Sequence, residues 1–409
     1  MVQISSDFAP PLQIIAPFFI AGTLFYVLSI VGLLSINNDV SLLDLRWIGL
    51  VHTYLIGFLM MIIIGALAQL LPVVLEKGHC CVGFYPIIFA FLTAGTVLLF
   101  LGFWFYPLLL SYGGLIIVLG FLIFGVEVVL TGKKELLRNL STRSMGYAVF
   151  FMLIGSLIGW IMTLGLGGTI NSNPTALIDV HAVTMLGGTV MMIVIGITQI
   201  LLPMFGLAHG FKNTPSTWAI RMMFSGILVY WIGKILSLDW VLFMGGFFIV
   251  LSVLAYVLQV VFIARKKARK EFDIWFRSLV VAYVSLFLAL VSLVVVGNEG
   301  EKGWILFGWL FGVGFLGFMI TGHLYKIIPF LVWFDRYSPL VGKQKVPMLH
   351  QMVPKRSADF QWGYSAVGMF TVALSLILGN SDLWYGGLSF LLIGSLFLIR
   401  NVLWMLRFK

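Results

Sequence analysis

The chain has 409 residues, 61% of them hydrophobic and 10% charged, with 25 Lys and Arg against 15 Asp and Glu. Too little polar surface is left to face water, which excludes an ordinary soluble domain. In such a chain a net charge of +10 is a signal of membrane topology, and no nucleic-acid partner is expected.

Apolar runs near the ~20 residues that span a bilayer recur along the whole length. Twelve are expected, over 12–35, 47–76, 82–105, 109–131, 145–168, 176–205, 218–236, 239–264, 274–297, 304–333, 361–378 and 383–406. The opening MVQISSDFAPPLQ has neither a basic stretch nor a small-residue cleavage site, so no removable signal peptide is expected. Three of the spans end alike, in GALAQLLP (65–72), GITQILLP (196–203) and GHLYKIIP (322–329). Each is followed by a glycine pair in an apolar run: Gly113-Gly114, Gly245-Gly246 and Gly386-Gly387. A unit of about 130 residues used three times predicts four helices per unit. The expected fold is an all-α polytopic membrane protein. Its single membrane domain has twelve transmembrane helices in three pseudo-threefold four-helix repeats, 1–140, 141–270 and 271–409.

Lys and Arg cluster in 131–145, 265–277, 334–360 and at the C-terminus. Alternating the spans puts 22 of the 25 on one side and leaves Arg46, Lys234 and Lys302 on the other. The positive-inside rule then predicts a cytoplasmic membrane protein with both termini in the cytoplasm. The only cysteines, Cys80 and Cys81, fall in a loop on that side and are expected to be reduced.

Six histidines are sorted by this topology. His52 and His181 lie 20 and 22 residues before Pro72 and Pro203, high on the second and sixth spans, while the matching tenth-span position is Trp309. An intramembrane imidazole needs a partner and is a functional candidate, and imidazole is the usual axial ligand of haem. Two readings stay open: the pair grips a haem, or each ring bonds a neighbouring helix carbonyl, Ser or Thr. His323 sits six residues before Pro329, and it either ligates a second cofactor or bonds across helices. His79, His209 and His350 fall in loops.

Twelve helices in three repeats, a histidine high on the second, and the tracts HTYLIGFLMMIIIGALAQLLPVV and GFMITGHLYKIIPFLVWF resemble the catalytic subunit of haem-copper oxidases. The resemblance implies that His52 is an axial ligand of a low-spin haem. It breaks at the copper site, because the seventh span has no histidine and the tenth reads GWLFGVGFLGF where the family carries His-x-His. No copper binuclear centre is therefore expected, and His181 is either a relic of a ligand or a haem ligand itself. The chain is also similar to stand-alone haem-binding relatives of that fold, such as NnrS-type proteins.

The expected cofactor is haem b, held by His52 and His181, with Arg46 neutralising a propionate. There is no CxxCH for covalent attachment. The expected work is electron transfer, or binding of a diatomic gas or nitrogen oxide, as a possible oxidoreductase component fed by a quinol or cytochrome donor. The expected surroundings are the lipid bilayer and a homo-oligomer or a respiratory partner subunit. The competing reading is a copper or haem transporter, or an assembly subunit of a respiratory complex. His79, Cys80 and His209 offer a second, cytoplasmic metal site. Asp179 reads as a solvated residue at a helix start, and Lys234 as a snorkelling interfacial lysine. The pairs Met60-Met61 and Met191-Met192 read as packing.

Overall fold

The computed structural model describes residues 10–75, 77–295 and 300–409. Twelve helices among them are long and apolar enough to cross a membrane. They are α1 (Leu12–Leu33), α2 (Leu45–Leu75), α3 (Phe84–Trp104), α4 (Leu108–Leu136), α5 (Leu140–Leu166) and α6 (Pro174–Gly206). They continue as α7 (Thr214–Leu236), α8 (Asp239–Arg265), α9 (Ile274–Val294), α10 (Glu301–Arg336), α11 (Lys355–Leu378) and α12 (Ser381–Leu406). All twelve expected spans correspond to one of these helices. Among the described residues there is no strand, only one bridge between Ala208 and Lys267.

Short polar residues start several helices. The Asp44 carboxylate accepts from the Arg46 and Trp47 amides at the head of α2. Asn139 and Thr142 form a reciprocal capping box on α5, and Asn380 caps α12 through the Leu383 amide. Each satisfies amides that a helix start leaves without partners.

The helices α2, α6 and α10 are the three longest, at 31, 33 and 36 residues. Each changes to a π-helix partway along, over Thr53–Met60, Val183–Met191 and Leu310–Gly317. These segments begin 19, 20 and 19 residues before Pro72, Pro203 and Pro329. In two of them a buried threonine back-bonds the turn before: Thr53 Oγ1 to Gly49 O at 2.8 Å and Thr184 Oγ1 to Val180 O at 2.6 Å. A hydroxyl on the i−4 carbonyl competes with the regular ladder, and π-helical turns concentrate at functional sites.

The chain divides into two compact units. The first contains Gln69–Phe91 and Pro107–Glu271. Within it α7 packs on α8 at Gly226 and Gly245, so closely that a Cβ on Gly226 would stand 3.0 Å from Gly245 O. The second contains Pro10–Ala68, Leu92–Tyr106 and Phe272–Lys409. Within it α11 packs on α12 through Gly368 and Gly387 in the same manner. Small residues let helices approach without the hydrophobic drive that water would supply. Met60, Met61, Met191 and Met192 are all buried, as packing methionines should be.

Candidate functional site

His52 and Arg46 on α2 and His323 on α10 belong to the second unit, and His181 on α6 belongs to the first. In all three helical histidines Nδ1 meets a backbone carbonyl. His52 reaches Ile48 O at 2.8 Å, His181 reaches Gly155 O at 2.9 Å, and His323 reaches Met319 O at 2.7 Å. A carbonyl only accepts, so Nδ1 carries the proton and each neutral ring has its lone pair on Nε2. The bland reading of these residues, a bond to a helix carbonyl, is thus realised at one nitrogen. It does not compete with ligation, because metal-bound histidines commonly anchor their other nitrogen in this way. Imidazole nitrogen is the kind of donor that an axial haem position takes.

The surroundings of the two candidate ligands differ. The His52 ring stacks on Phe103, with centroids 5.5 Å apart and planes at 26°. Its residue directly precedes the π segment, as Trp309 does on α10, where Trp309 Nε1 donates to Met369 O. The His181 ring lies against a bare stretch of α5. Its Nδ1 bonds Gly155 O, and a Cβ on Gly159 would stand 2.7 Å from its Cε1. Gly155 and Gly159 make a Gly-x-x-x-Gly face, which here admits an imidazole where such faces usually admit a helix backbone.

Arg46 is exposed and pairs at 3.4 Å with Asp44 in its own helix start. Partial desolvation, the largest influence on the Asp44 carboxyl, pushes it up, but hydrogen bonds and charge from Arg46 outweigh it and hold the group below the ordinary carboxylate value. Trp275 of α9 meets His323 of α10 edge-on at 6.0 Å, and Lys326 of α10 lies over the same indole while bonding Asp273 at 2.5 Å.

Two polar residues depart from expectation. Asp179 is not a merely solvated helix start and Lys234 does not merely snorkel: Nζ lies 2.8 Å from Asp179 Oδ2, and Tyr230 Oη donates to the same oxygen at 3.1 Å. The acid sits in a first helical turn and the lysine in a last one. Helix dipoles favour both placements and bring opposite charges to one end of the packed helices.

His79 is a loop residue in sequence, yet its side chain is fully enclosed. Its Nδ1 lies 2.7 Å from Oε1 of Glu127, whose side chain is likewise 0% exposed. Tyr85 Oη donates to Glu127 Oε2 at 3.1 Å, and Thr131 Oγ1 to Oε1 at 2.6 Å. The Cys80 amide donates to Thr131 Oγ1 at 3.0 Å, and Lys77 pairs with Glu135 at 2.8 Å. Glu127 and Thr131, four apart, share one face of α4, and Glu135 follows in the 3-10 turn that ends it after Lys133 takes a positive φ of 44°, so the end of α4 holds the loop at Lys77, His79 and Cys80. Reading the sequence missed Glu127 as a partner, because nothing local links it to a histidine 48 residues away.

Among the described residues no group of three or more His, Cys, Asp or Glu side chains is disposed to hold a metal ion. His79, Cys80 and His209 do not form such a group: His79 is committed to Glu127, and His209 is an exposed loop residue. Cys80 and Cys81 are free thiols with Sγ atoms 3.4 Å apart. The hydrogen bond with Cys80 is the main cause that raises the Cys81 thiol above its usual value.

No protein-family model matches the chain, and no curated protein matches it.

Proposed function

We propose that this is a membrane haem protein of haem-copper oxidase-like architecture that lacks the copper binuclear centre. In this reading three four-helix repeats lie in the cytoplasmic membrane with both termini on the cytoplasmic side. The recurrence of a π segment at nearly one distance from Pro72, Pro203 and Pro329 supports the repeat. So does the equal spacing of Gly226 from Gly245 and of Gly368 from Gly387.

The observation that carries the haem reading is the shared tautomer of His52 and His181. Each imidazole is anchored by an Nδ1–H bond to a carbonyl, which directs its basicity to Nε2. His52 and His181 would hold haem b through those nitrogens, and Arg46 would neutralise a propionate. His323 has the same tautomer and is the candidate for a second cofactor. Bound haem supplies reversible one-electron chemistry, and a vacant axial position would let it bind nitric oxide or another diatomic. Around it, Ile48 O and Gly155 O orient the rings, Phe103 excludes water from one face of His52, and Gly159 leaves room for His181. The electron donor in this reading is a quinol or a cytochrome.

The test is haem content after substitution. His52→Ala and His181→Ala should each lower the haem-to-protein ratio of the purified protein well below that of the wild type, with the chain still folded. Both variants keeping full haem would remove these residues as ligands.

A further inference from the structure

Arg400, Leu403, Trp404 and Arg407 are spaced so that they share one face at the end of α12. Together with Ile399 and Phe408 that face walls an open cleft of about 680 Å³. Arg400, Trp404 and Arg407 are exposed, and Trp404 meets Phe408 edge-on at 5.2 Å. The wall combines guanidinium groups with apolar side chains, and no acidic side chain lines it.

Among the described residues neither guanidinium pairs with a carboxylate. Arg400 Nη1 lies 3.4 Å from Ser357 Oγ, whose own proton goes to Asn401 Oδ1 at 2.5 Å. That contact is long for a hydrogen bond and leaves most of the guanidinium N–H donors available. Nor are these arginines needed to close the helix end. Arg336 donates to Leu406 O at 2.9 Å and to Phe408 O at 2.6 Å, which is the work of a basic residue at a helix C-terminus. The first turn of α11 adds charge beside Ser357: Lys355 and Arg356 are both exposed, in a place where the helix dipole disfavours cations. The acid nearest to them in sequence, Asp359, is paired with Arg277.

Depth matters as well. The 26 residues of α12 make it about 39 Å long, so it extends past a ~30 Å hydrocarbon core by roughly a turn at each end. Arg400 lies about 9 Å along the axis from the helix end at Leu406. It therefore stands near the level where acyl chains give way to headgroups, with exposed Leu396 one turn deeper. A cation facing lipid at that level is costly without an anion beside it.

We propose that this cleft binds one anionic phospholipid. The Arg400 guanidinium forks onto the phosphate, Arg407 stands by as a second positive charge, and the acyl chains run along Leu403 and Trp404. Dissolved phosphate would use only the cations, whereas a lipid also covers the apolar wall. The site does not depend on haem.

The test uses the full chain purified in detergent, with bound lipid counted by native mass spectrometry. The probes are phosphatidylglycerol and phosphatidylcholine with the same acyl chains. The expected result is about one phosphatidylglycerol per chain, held at least about tenfold more tightly than phosphatidylcholine. Arg400→Gln combined with Arg407→Gln should bring the two lipids to within about twofold of each other. Lys266→Gln combined with Lys270→Gln, in a different loop, should leave the preference unchanged. Arg400→Lys should keep only part of it, because the charge stays and the fork is lost. Equal binding of the two lipids by the wild type, or a preference that survives Arg400→Gln with Arg407→Gln, would overturn the proposal. So would an equal loss in Lys266→Gln with Lys270→Gln. Displacement of the lipid by excess inorganic phosphate would also overturn it, and would give the cleft to a soluble anion. Should the double arginine variant not fold, Arg407→Gln alone must still reduce the preference at least about threefold.

Discussion

Tyr54 donates its phenolic proton to the carbonyl of Gly312 at 3.1 Å, and both residues lie in π-helical segments, one on α2 and one on α10. A π turn shifts the backbone ladder to i+5, and each carbonyl in it keeps a second lone pair that can take another donor. Tyr54 supplies it from an equally irregular stretch. The same hydroxyl lies where a side chain at Gly317 would go, 2.5 Å from the Cβ site. Two irregular segments thus satisfy and exclude one another.

Tyr54→Phe should keep the packing of the ring and lose this bond. A cost of about 0.5–1.5 kcal/mol is expected, more if the carbonyl is left dry. Thermal unfolding in detergent, compared with the wild type, measures it.

Gly159 and Gly246 make a controlled pair. A methyl on Gly159 would press on the His181 ring, whereas one on Gly246 meets nothing within 4 Å. Gly159→Ala should destabilise by about 1–3 kcal/mol through overpacking, while Gly246→Ala should be neutral or slightly stabilising. Equal melting temperatures for the two variants would contradict the placement of His181.

Both amide atoms of Gln199, four residues before Pro203, are buried without a hydrogen-bond partner. Replacing an unsatisfied polar group by an apolar one of similar size removes a desolvation cost. Gln199→Leu should therefore raise the melting temperature of the purified protein. A fall would show that the amide is satisfied in the membrane by something it binds.

The Asp179–Lys234 pair is more than a third exposed at both ends, at 37% and 36%. Solvent screening limits such a pair to about 0–1 kcal/mol. Asp179→Asn should cost no more than that, and the difference from wild type should shrink as salt is raised.

What the sequence made legible was the part that one run of residues encodes by itself. Twelve spans follow from the length of apolar runs, and the fixed distances to Pro72, Pro203 and Pro329 pointed to the helices that turn out to carry π segments. The His52 ring bonds its own helix four residues back, so its anchoring was local. The His181 anchor is not, because Gly155 and Gly159 lie on a separate helix. The same limit hid His79, whose partner is 48 residues away, and Lys234, whose partner is 55 away. A loop histidine and an interfacial lysine look solvated until the chain is folded. The π segments were illegible for a different reason: Thr53 and Thr184 each take a carbonyl from the ladder, but a threonine in an apolar helix has other uses.

The haem assignment meets its most direct test in a reduced-minus-oxidised absorption spectrum of the detergent-purified chain, with pyridine haemochrome quantification of the same sample. At least about one haem b per chain is the expected result, the stoichiometry that axial ligation by His52 and His181 requires. A preparation that is folded, full-length and free of stoichiometric haem would contradict it, and would leave copper or haem transport as the reading to pursue.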